Sequence, residues 1–283
     1  MTNGFSKEWL RLREPADAAA RNPDIAAGLA AQLADRTEVK FTDLGCGTGA
    51  NLRHTALLVP PGVRQRWRLF DHDPHLLSSA REELAAWADE TFETASSEFQ
   101  LKKDGRAIEV SFCEADLSTG VESFLQPDEI VTASAFFDLV SKDWITRFAR
   151  AAAALSAAVY APLIYNGLQI WSPSNPADWP MVMAFNVHQR RDKGFGAAAG
   201  PDAAAILHDA FCDEGYTVTR GDSSWRLGPQ DASLIAMLAE NTAAAVSELG
   251  LFDEQAIITW KESRRAAASC LIGHTDSLAR PAA

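Results

Sequence analysis

The sequence predicts an α/β fold, doubly wound on a mostly parallel sheet of seven strands. Three observations carry this expectation. Apolar runs of strand length alternate with segments of helical period between residues 39 and 166, the turn after the first strand is rich in glycine, and acidic residues recur where successive strands end. Parallel strands need crossover connections, and right-handed crossovers set helices on both faces of the sheet.

The chain opens with apolar positions at helical spacing, Trp9, Leu10 and Leu12 and then Ile25, Leu29 and Leu33, interrupted near Pro15 and Pro23. Two or three helices are expected, forming an N-terminal helical cap over 1–36. The period then changes. VKFTDLG (39–45) reads as a buried strand, ANLRHTALL (50–58) as a helix and RWRLFDHD (66–73) as a second strand. A helix over 75–90, strands over 107–116 and 128–136, a helix over 139–156 and the strand AAVYAPLIYN (157–166) continue the alternation. Residues 167–200 hold three prolines, two tryptophans and a basic cluster, and read as an insertion covering the carboxyl end of the sheet. Pro201 opens a helix over 202–214 that Gly215 stops. GYTVTRGDSSWRL (215–227) reads as the sixth strand, two amphipathic helices fall within 230–268, and ASCLIGHTDSLA (268–279) reads as the seventh strand. No repeat or low-complexity linker interrupts 37–283, which is expected to be one cofactor-binding and catalytic domain with a helical insertion before its last strand.

Composition excludes several function classes. Of 283 residues, 38 are acidic and 26 basic, and the net charge of -12 repels phosphate backbones and anionic membrane surfaces, so neither nucleic acid nor a membrane is an expected partner. An apolar fraction of 47% with 23% charged residues suits a folded globular protein and not a disordered one. Cys46, Cys113, Cys212 and Cys270 are far apart and show no metal-ligand spacing, so no metal is expected and the thiols read as reduced. The first residues are charged and amphipathic, unlike a signal peptide, and no apolar run reaches the ~18 residues of a membrane span. A cytoplasmic location is expected.

FTDLGCGTGANL (41–52) sets a glycine turn between a strand and a helix N-terminus. Unpaired N–H groups and partial positive charge at the helix start favour an anionic or polar ligand, and glycines let it approach the backbone. Read as Gly45-x-Gly47-x-x-Ala50, the turn satisfies the relaxed dinucleotide fingerprint, so an NAD(P)-dependent oxidoreductase stays open. Asp71 ends the second strand 22 positions beyond Gly49, where a carboxylate can accept both hydroxyl protons of a ribose under either reading. Asp73 reads as the cap of the helix that starts at Pro74.

Two further segments separate the readings: CEADL (113–117) follows the third strand and ASAFFDLVS (133–141) follows the fourth. Together, DLGCGTG, FDHDP, EADL and the acid-bearing fourth strand resemble the class I S-adenosylmethionine-dependent methyltransferase superfamily over residues 38–166 in order, and the GYTV strand with the SCLIGHTDSLA tail is similar to that family's closing antiparallel pair. The resemblance implies a Rossmann-like methyltransferase fold, S-adenosyl-L-methionine as cofactor, and methyl transfer to a small-molecule acceptor by direct in-line displacement. It also implies roles. Gly45, Gly47 and Gly49 would lie against the methionine and ribose, Asp43 would orient the turn and the cofactor's amino group, and Asp71 would hold the ribose hydroxyls. Asp116 would meet the adenine amino group, the Leu117 backbone an adenine nitrogen, and Ser134 and Phe136 the methionine end, with Arg13 closing over the methionine carboxylate. EADL and the final antiparallel strand speak against the oxidoreductase. A cofactor-binding scaffold without chemistry is the remaining alternative.

In-line displacement needs positioning and no covalent intermediate, and a protein base only where the acceptor arrives protonated. His188 and Asp138 are the candidates for that base. Phe137, Tyr165, Asn166, Trp171, Trp179 and the run FNVHQRRDKGFG (185–196) are candidate acceptor contacts, and within that run Arg190, Arg191 and Lys193 form the densest basic cluster of the chain. Arginine forks suit a carboxylate or phosphate and indole faces suit flat rings, so the expected acceptor is anionic or aromatic.

Overall fold

The computed structural model describes residues 5–93 and 99–282; residues 1–4 of the expected cap lie outside that range. The cap comprises α1 (Lys7–Ala20) and α2 (Pro23–Leu33). Pro23 starts α2 as expected, with Asn22 accepting from the amides of Asp24 and Ile25. Pro15, expected to break the first helix, lies inside α1. The Arg13–Asp17 ion pair spans the proline, and Trp9, Leu12, Ala16 and Ala20 pack on the core to either side, so tertiary contacts outweigh one lost backbone hydrogen bond.

The central sheet follows from strands β1 (Glu38–Leu44), β2 (Arg64–Asp71), β3 (Glu90–Glu93), β4 (Phe99–Lys103), β5 (Arg106–Glu114), β6 (Ile130–Thr132), β7 (Ala158–Ser172), β8 (Tyr216–Asp222), β9 (Trp225–Leu227) and β10 (Ser269–Pro281). Their order is β3-β4-β5-β2-β1-β6-β7-β10-β8, with β9 paired to β10. The five strands β5-β2-β1-β6-β7 are parallel, and β10 is antiparallel between β7 and β8. The intervening helices are α3 (Ala50–Thr55), α4 (Pro74–Trp87), α5 (Lys142–Ala154), α6 (Asp178–Gln189), α7 (Ala203–Asp213), α8 (Ala232–Ser247) and α9 (Glu254–Arg265). None of the described helices is long and apolar enough to cross a membrane.

All seven expected strands are present, and four details differ. The hairpin β3–β4 adds an antiparallel edge beside β5. The sixth strand is divided: β8 pairs with residues 275–281 of β10 and β9 with residues 270–272, because β10 changes register between Ile272 and His274. The fourth strand shrinks to three residues because Ala135, still bonded to the Pro162 carbonyl, takes φ +51° and turns the chain out of the sheet. Finally, residues 167–172 are not insertion but strand, since Gln169–Ser172 pair with Ser269–Ile272.

Each face of the sheet carries a core. Leu33, Phe41, Trp67 and Leu69 fill one, with the Phe41 and Trp67 rings stacked at 4.1 Å, while Phe137, Phe148 and Phe211 fill the other. A third cluster around Trp171, Trp225 and Trp260 joins α8 and α9 to the far ends of β7 and β10. Beneath β1 and β2, Arg68 Nη2 donates to Glu129 Oε2 (2.8 Å), Thr42 Oγ1 (2.6 Å) and the Phe124 carbonyl (2.8 Å). This pair ties β2, β1 and the approach to β6 together at the strands that carry the site. The Glu129 side chain is 0% exposed, so Arg68→Met should strand a buried carboxylate and cost ~3–5 kcal/mol in chemical denaturation. The double variant Arg68→Met/Glu129→Leu should recover part of that loss, as a double-mutant cycle would show.

Candidate functional site

The turn after β1 is left-handed at all three glycines, with φ of +67° at Gly45, +54° at Gly47 and +74° at Gly49. A side chain at Gly45 would come to 2.7 Å of the Phe136 ring, and one at Gly47 to 3.1 Å of Leu10, so the turn is closely covered as well as conformationally restricted. Asp71, at the end of β2, accepts the Gly47 amide on Oδ2 (2.9 Å) and the Asp73 amide on Oδ1 (3.0 Å). One carboxylate thereby shapes the turn and faces the space above it.

Behind the turn, the Asn51 side-chain amide donates to Asp43 Oδ1 (2.8 Å) and Thr132 Oγ1 (2.9 Å) and accepts from Arg21 Nη2 (2.9 Å). Burial pushes the Asp43 carboxyl up to about 7, against the hydrogen bond from Asn51 and the charge of Arg21. Arg53 holds the Thr48 carbonyl (2.9 Å) and Glu14 of α1 (2.6 Å). Burial opposes ionisation of Glu14, but the His54 ring at 3.7 Å and the hydrogen-bonded Arg53 guanidinium outweigh it and hold the carboxyl down at about 2.

Above the turn lies a cleft of about 590 Å³. Its floor is Gly45–Thr48 with Ala50 and Asn51; one wall carries Asp71, His72 and Leu76, then Asp116, Leu117 and Ser118, and the other carries Ser134, Ala135, Phe136 and Leu139. The roof is Phe5, Leu10, Arg13 and Asp17 from the N-terminal segment and Lys193, Gly194 and Phe195 from the segment after α6. Asp116 accepts from Ser118, which holds its carboxyl below the usual range. The Leu117 carbonyl accepts from the Trp144 indole (2.8 Å), fixing that peptide, and Phe136 meets Trp144 and Phe195 edge to face at 5.5 and 5.8 Å.

Gly45, Gly47, Asp71, Asp116, Leu117, Ser134, Phe136 and Arg13 therefore meet in one cleft. Asp43 and Gly49 stand behind it, Gly49 against Ala80 and Leu84 of α4. Arg13 is already bound through two bonds to Asp17 (2.9 and 3.1 Å), which also accepts from the Trp225 indole (3.0 Å).

The expected acceptor residues are placed otherwise. Phe137 is fully buried in the α5 core, Trp171 packs edge to face on Trp260, and Tyr165 is buried with its hydroxyl on Asn186 (2.8 Å). Asn166 is exposed on β7, and Trp179 is 73% exposed at the start of α6. Arg190 pairs with Asp202, while Arg191 and His188 both pair with Glu248, which caps the C-terminus of α8. None of these residues lines the cleft. The reason is that β7 consumes 167–172 and α6, packed on α8, carries 178–189, so only Lys193–Phe195 return. Asp138, next to the lining Leu139, is buried; its Oδ1 has no hydrogen-bond partner among the described residues, and burial pushes the carboxyl up to about 6.

Phe195 belongs to the run 185–196 that the sequence offers for the acceptor, and its flanking glycines in KGFG mark a turn able to approach another segment closely. His72, Leu76, Leu10 and Asp17 carry no such signal in the sequence.

No family model matches this chain, and no curated protein matches it in sequence. Solved structures do. A cyclopropane-fatty-acyl-phospholipid synthase-like protein from Lactobacillus casei ATCC 334 superposes with a TM-score of 0.55 at 16% identity, over 97% of this chain and 94% of that one. A candidate methyltransferase from Bacillus halodurans C-125 gives 0.51 at 12% identity, over 91% and 99% of the two chains. At these identities the likeness is one of fold.

Gly45→Ala should cost ~1–3 kcal/mol in chemical denaturation, because it combines φ +67° with a contact on Phe136. A mixed effect is not expected: Gly62, also left-handed at φ +92° but with open space around it, should lose only the smaller backbone part, about 1 kcal/mol, on substitution by alanine.

Proposed function

We propose that this chain, which has the Rossmann-like fold of the class I S-adenosylmethionine-dependent methyltransferases, is such a methyltransferase and acts on a small-molecule acceptor. The observation that carries the proposal is Asp71: a strand-end carboxylate, bonded to the Gly47 amide of a three-glycine turn, that lines a cleft also lined by Asp116 and Leu117. Acid, turn and second acid match what an adenosyl group with a short zwitterionic tail requires. Asp71 would take the ribose hydroxyls and Asp116 the adenine amino group, with Leu76 and Leu117 giving apolar cover to the ring. Gly45 and Gly47 would lie against the ribose and methionine, and Ser134 and Phe136 at the methionine end. Asp43, which does not line the cleft, would support the turn from behind through Asn51.

When bound, S-adenosylmethionine supplies a methyl group on a cationic sulfur. The chain's own part is to hold an acceptor atom in line and to keep water out, which Phe136, Phe195 and Leu139 favour by making that end of the cleft apolar. Where the acceptor carries a proton, Asp138 is the group to take it: a buried carboxyl raised to about 6 is largely ionised at neutral pH and close enough to it to accept a proton. His188 is withdrawn from that role by its pairing with Glu248.

Titration calorimetry should show S-adenosylhomocysteine binding to the wild-type protein and NADH not binding. Asp71→Ala should weaken the former by ~1.5–3 kcal/mol, as for a lost hydrogen bond to a charged group. With a labelled methyl donor and a small-metabolite extract, a labelled small product is expected; intact cofactor binding with no labelled product would leave a scaffold. Turnover should fall as the pH drops through about 6, because protonation removes the base form of Asp138. Asp138→Asn should abolish that limb and lower kcat by ~10²-fold.

A further inference from the structure

The cleft roof holds one cation without an ion pair among the described residues. Lys193 lines the cleft half-buried, and among the described residues it has neither a carboxylate within 4.0 Å nor a hydrogen-bond partner. Arg13 is paired with Asp17, while Asp71 accepts from the amides of Gly47 and Asp73 and Asp116 from that of Ser118. Arg190 and Arg191, the forks that the sequence offered for an anion, are bound to Asp202 and Glu248 outside the cleft. Burial draws the Lys193 ammonium below the ordinary lysine range, with Glu248 and Asp138 acting against that at longer range and Arg191 adding to it. A partly desolvated cation facing an open cleft gains most from an anion that the ligand brings.

The position of Lys193 says which part of a ligand it meets. Asp71 and Asp116 stand at the ends of β2 and β5, on one side of β1, whereas the segment carrying Lys193 runs along the chain that leaves β6 on the other side. There the Ala199 amide donates to the Val140 carbonyl (2.7 Å), Ser141 bridges to Ala198, and Phe195 packs on Phe136 and Trp144. The ammonium is thus set apart from the two carboxylates read as ribose and adenine contacts, beside the apolar surface of Phe136, Leu139 and Phe195.

We propose that Lys193 is the anion-recognition residue of the acceptor site, so that the acceptor is a small carboxylate or phosphate whose apolar or aromatic body rests on Phe195 and Phe136. This assignment rests on the methyltransferase reading of the same cleft and names its substrate class.

The test uses the full-length protein saturated with S-adenosylhomocysteine, with benzoate and phenyl phosphate as anionic probes and benzyl alcohol as their neutral counterpart, read by saturation-transfer NMR titration. Wild-type protein should bind at least one anion more tightly than the alcohol, and the stronger of the two distinguishes a carboxylate from a phosphate acceptor. Lys193→Met should weaken that anion by about tenfold or more, Lys193→Arg should retain it, and the alcohol should bind all three proteins alike. Calorimetry on the same variants should give unchanged affinity for S-adenosylhomocysteine. The proposal is overturned if neither anion outbinds the alcohol, if Lys193→Met binds the anion as the wild type does, or if that variant loses the homocysteine ligand equally, which would give the ammonium to the cofactor's carboxylate. Failure of the wild type to bind S-adenosylhomocysteine would instead sink the methyltransferase reading, and the anion comparison on the unloaded protein would still judge Lys193.

Discussion

The side-chain amide of Asn51 is the interaction on which the rest of the site depends. From the first turn of α3 it reaches Asp43 on β1 and Thr132 on β6, and its carbonyl takes Arg21 from the junction of α1 and α2. Four elements meet at one residue that is itself buried. In such a low-dielectric setting an unpaired amide or carboxyl is costly, so the network is stable only when all its members are in register. That register holds the glycine turn in its left-handed conformation and sets the β6 end, with Ser134 and Phe136, opposite it.

Arg21 and Glu14 also explain why the N-terminal helices belong to the site. Arg21 bonds Asn51 and Thr55, while Glu14 bonds Arg53, which holds the Thr48 carbonyl of the turn. With α1 docked in this way, Leu10 covers Gly47 and Arg13 reaches the cleft. The result is a charge division inside an acidic protein: carboxylates at the β2 and β5 ends, and an uncompensated lysine beyond β6 beside aromatic surface. A sulfonium donor and an anionic acceptor would each find complementary charge in such a cleft.

The half of the cleft proposed for the cofactor was legible in the sequence because the signals there are local. Glycine is required where φ is positive, so Gly45, Gly47 and Gly49 betray the turn, and Asp71 and Asp116 betray strand ends because open parallel sheets present their carboxyl ends to ligands. The half proposed for an acceptor was not legible, since its residues are chosen by long-range packing. Trp171 and Tyr165 looked available only while 167–172 read as a loop; pairing with β10 turned that segment into strand and buried both side chains. Arg190 and Arg191 looked like an anion site until Arg190 met Asp202 and the packing of α6 on α8 brought Arg191 to Glu248, 57 residues further along the chain.

By itself, then, the sequence determined the alternation of elements, the glycine turn and the order of strand-end acids, because periodicity, backbone conformational cost and chain order are properties of short segments. Only the tertiary structure decided that Pro15 stays within a helix, that Asp17 meets the Trp225 indole, and that Lys193, alone of its basic cluster, faces the cleft. Those outcomes depend on which distant partner each side chain meets, and a charge is satisfied or left open by geometry that no local pattern contains.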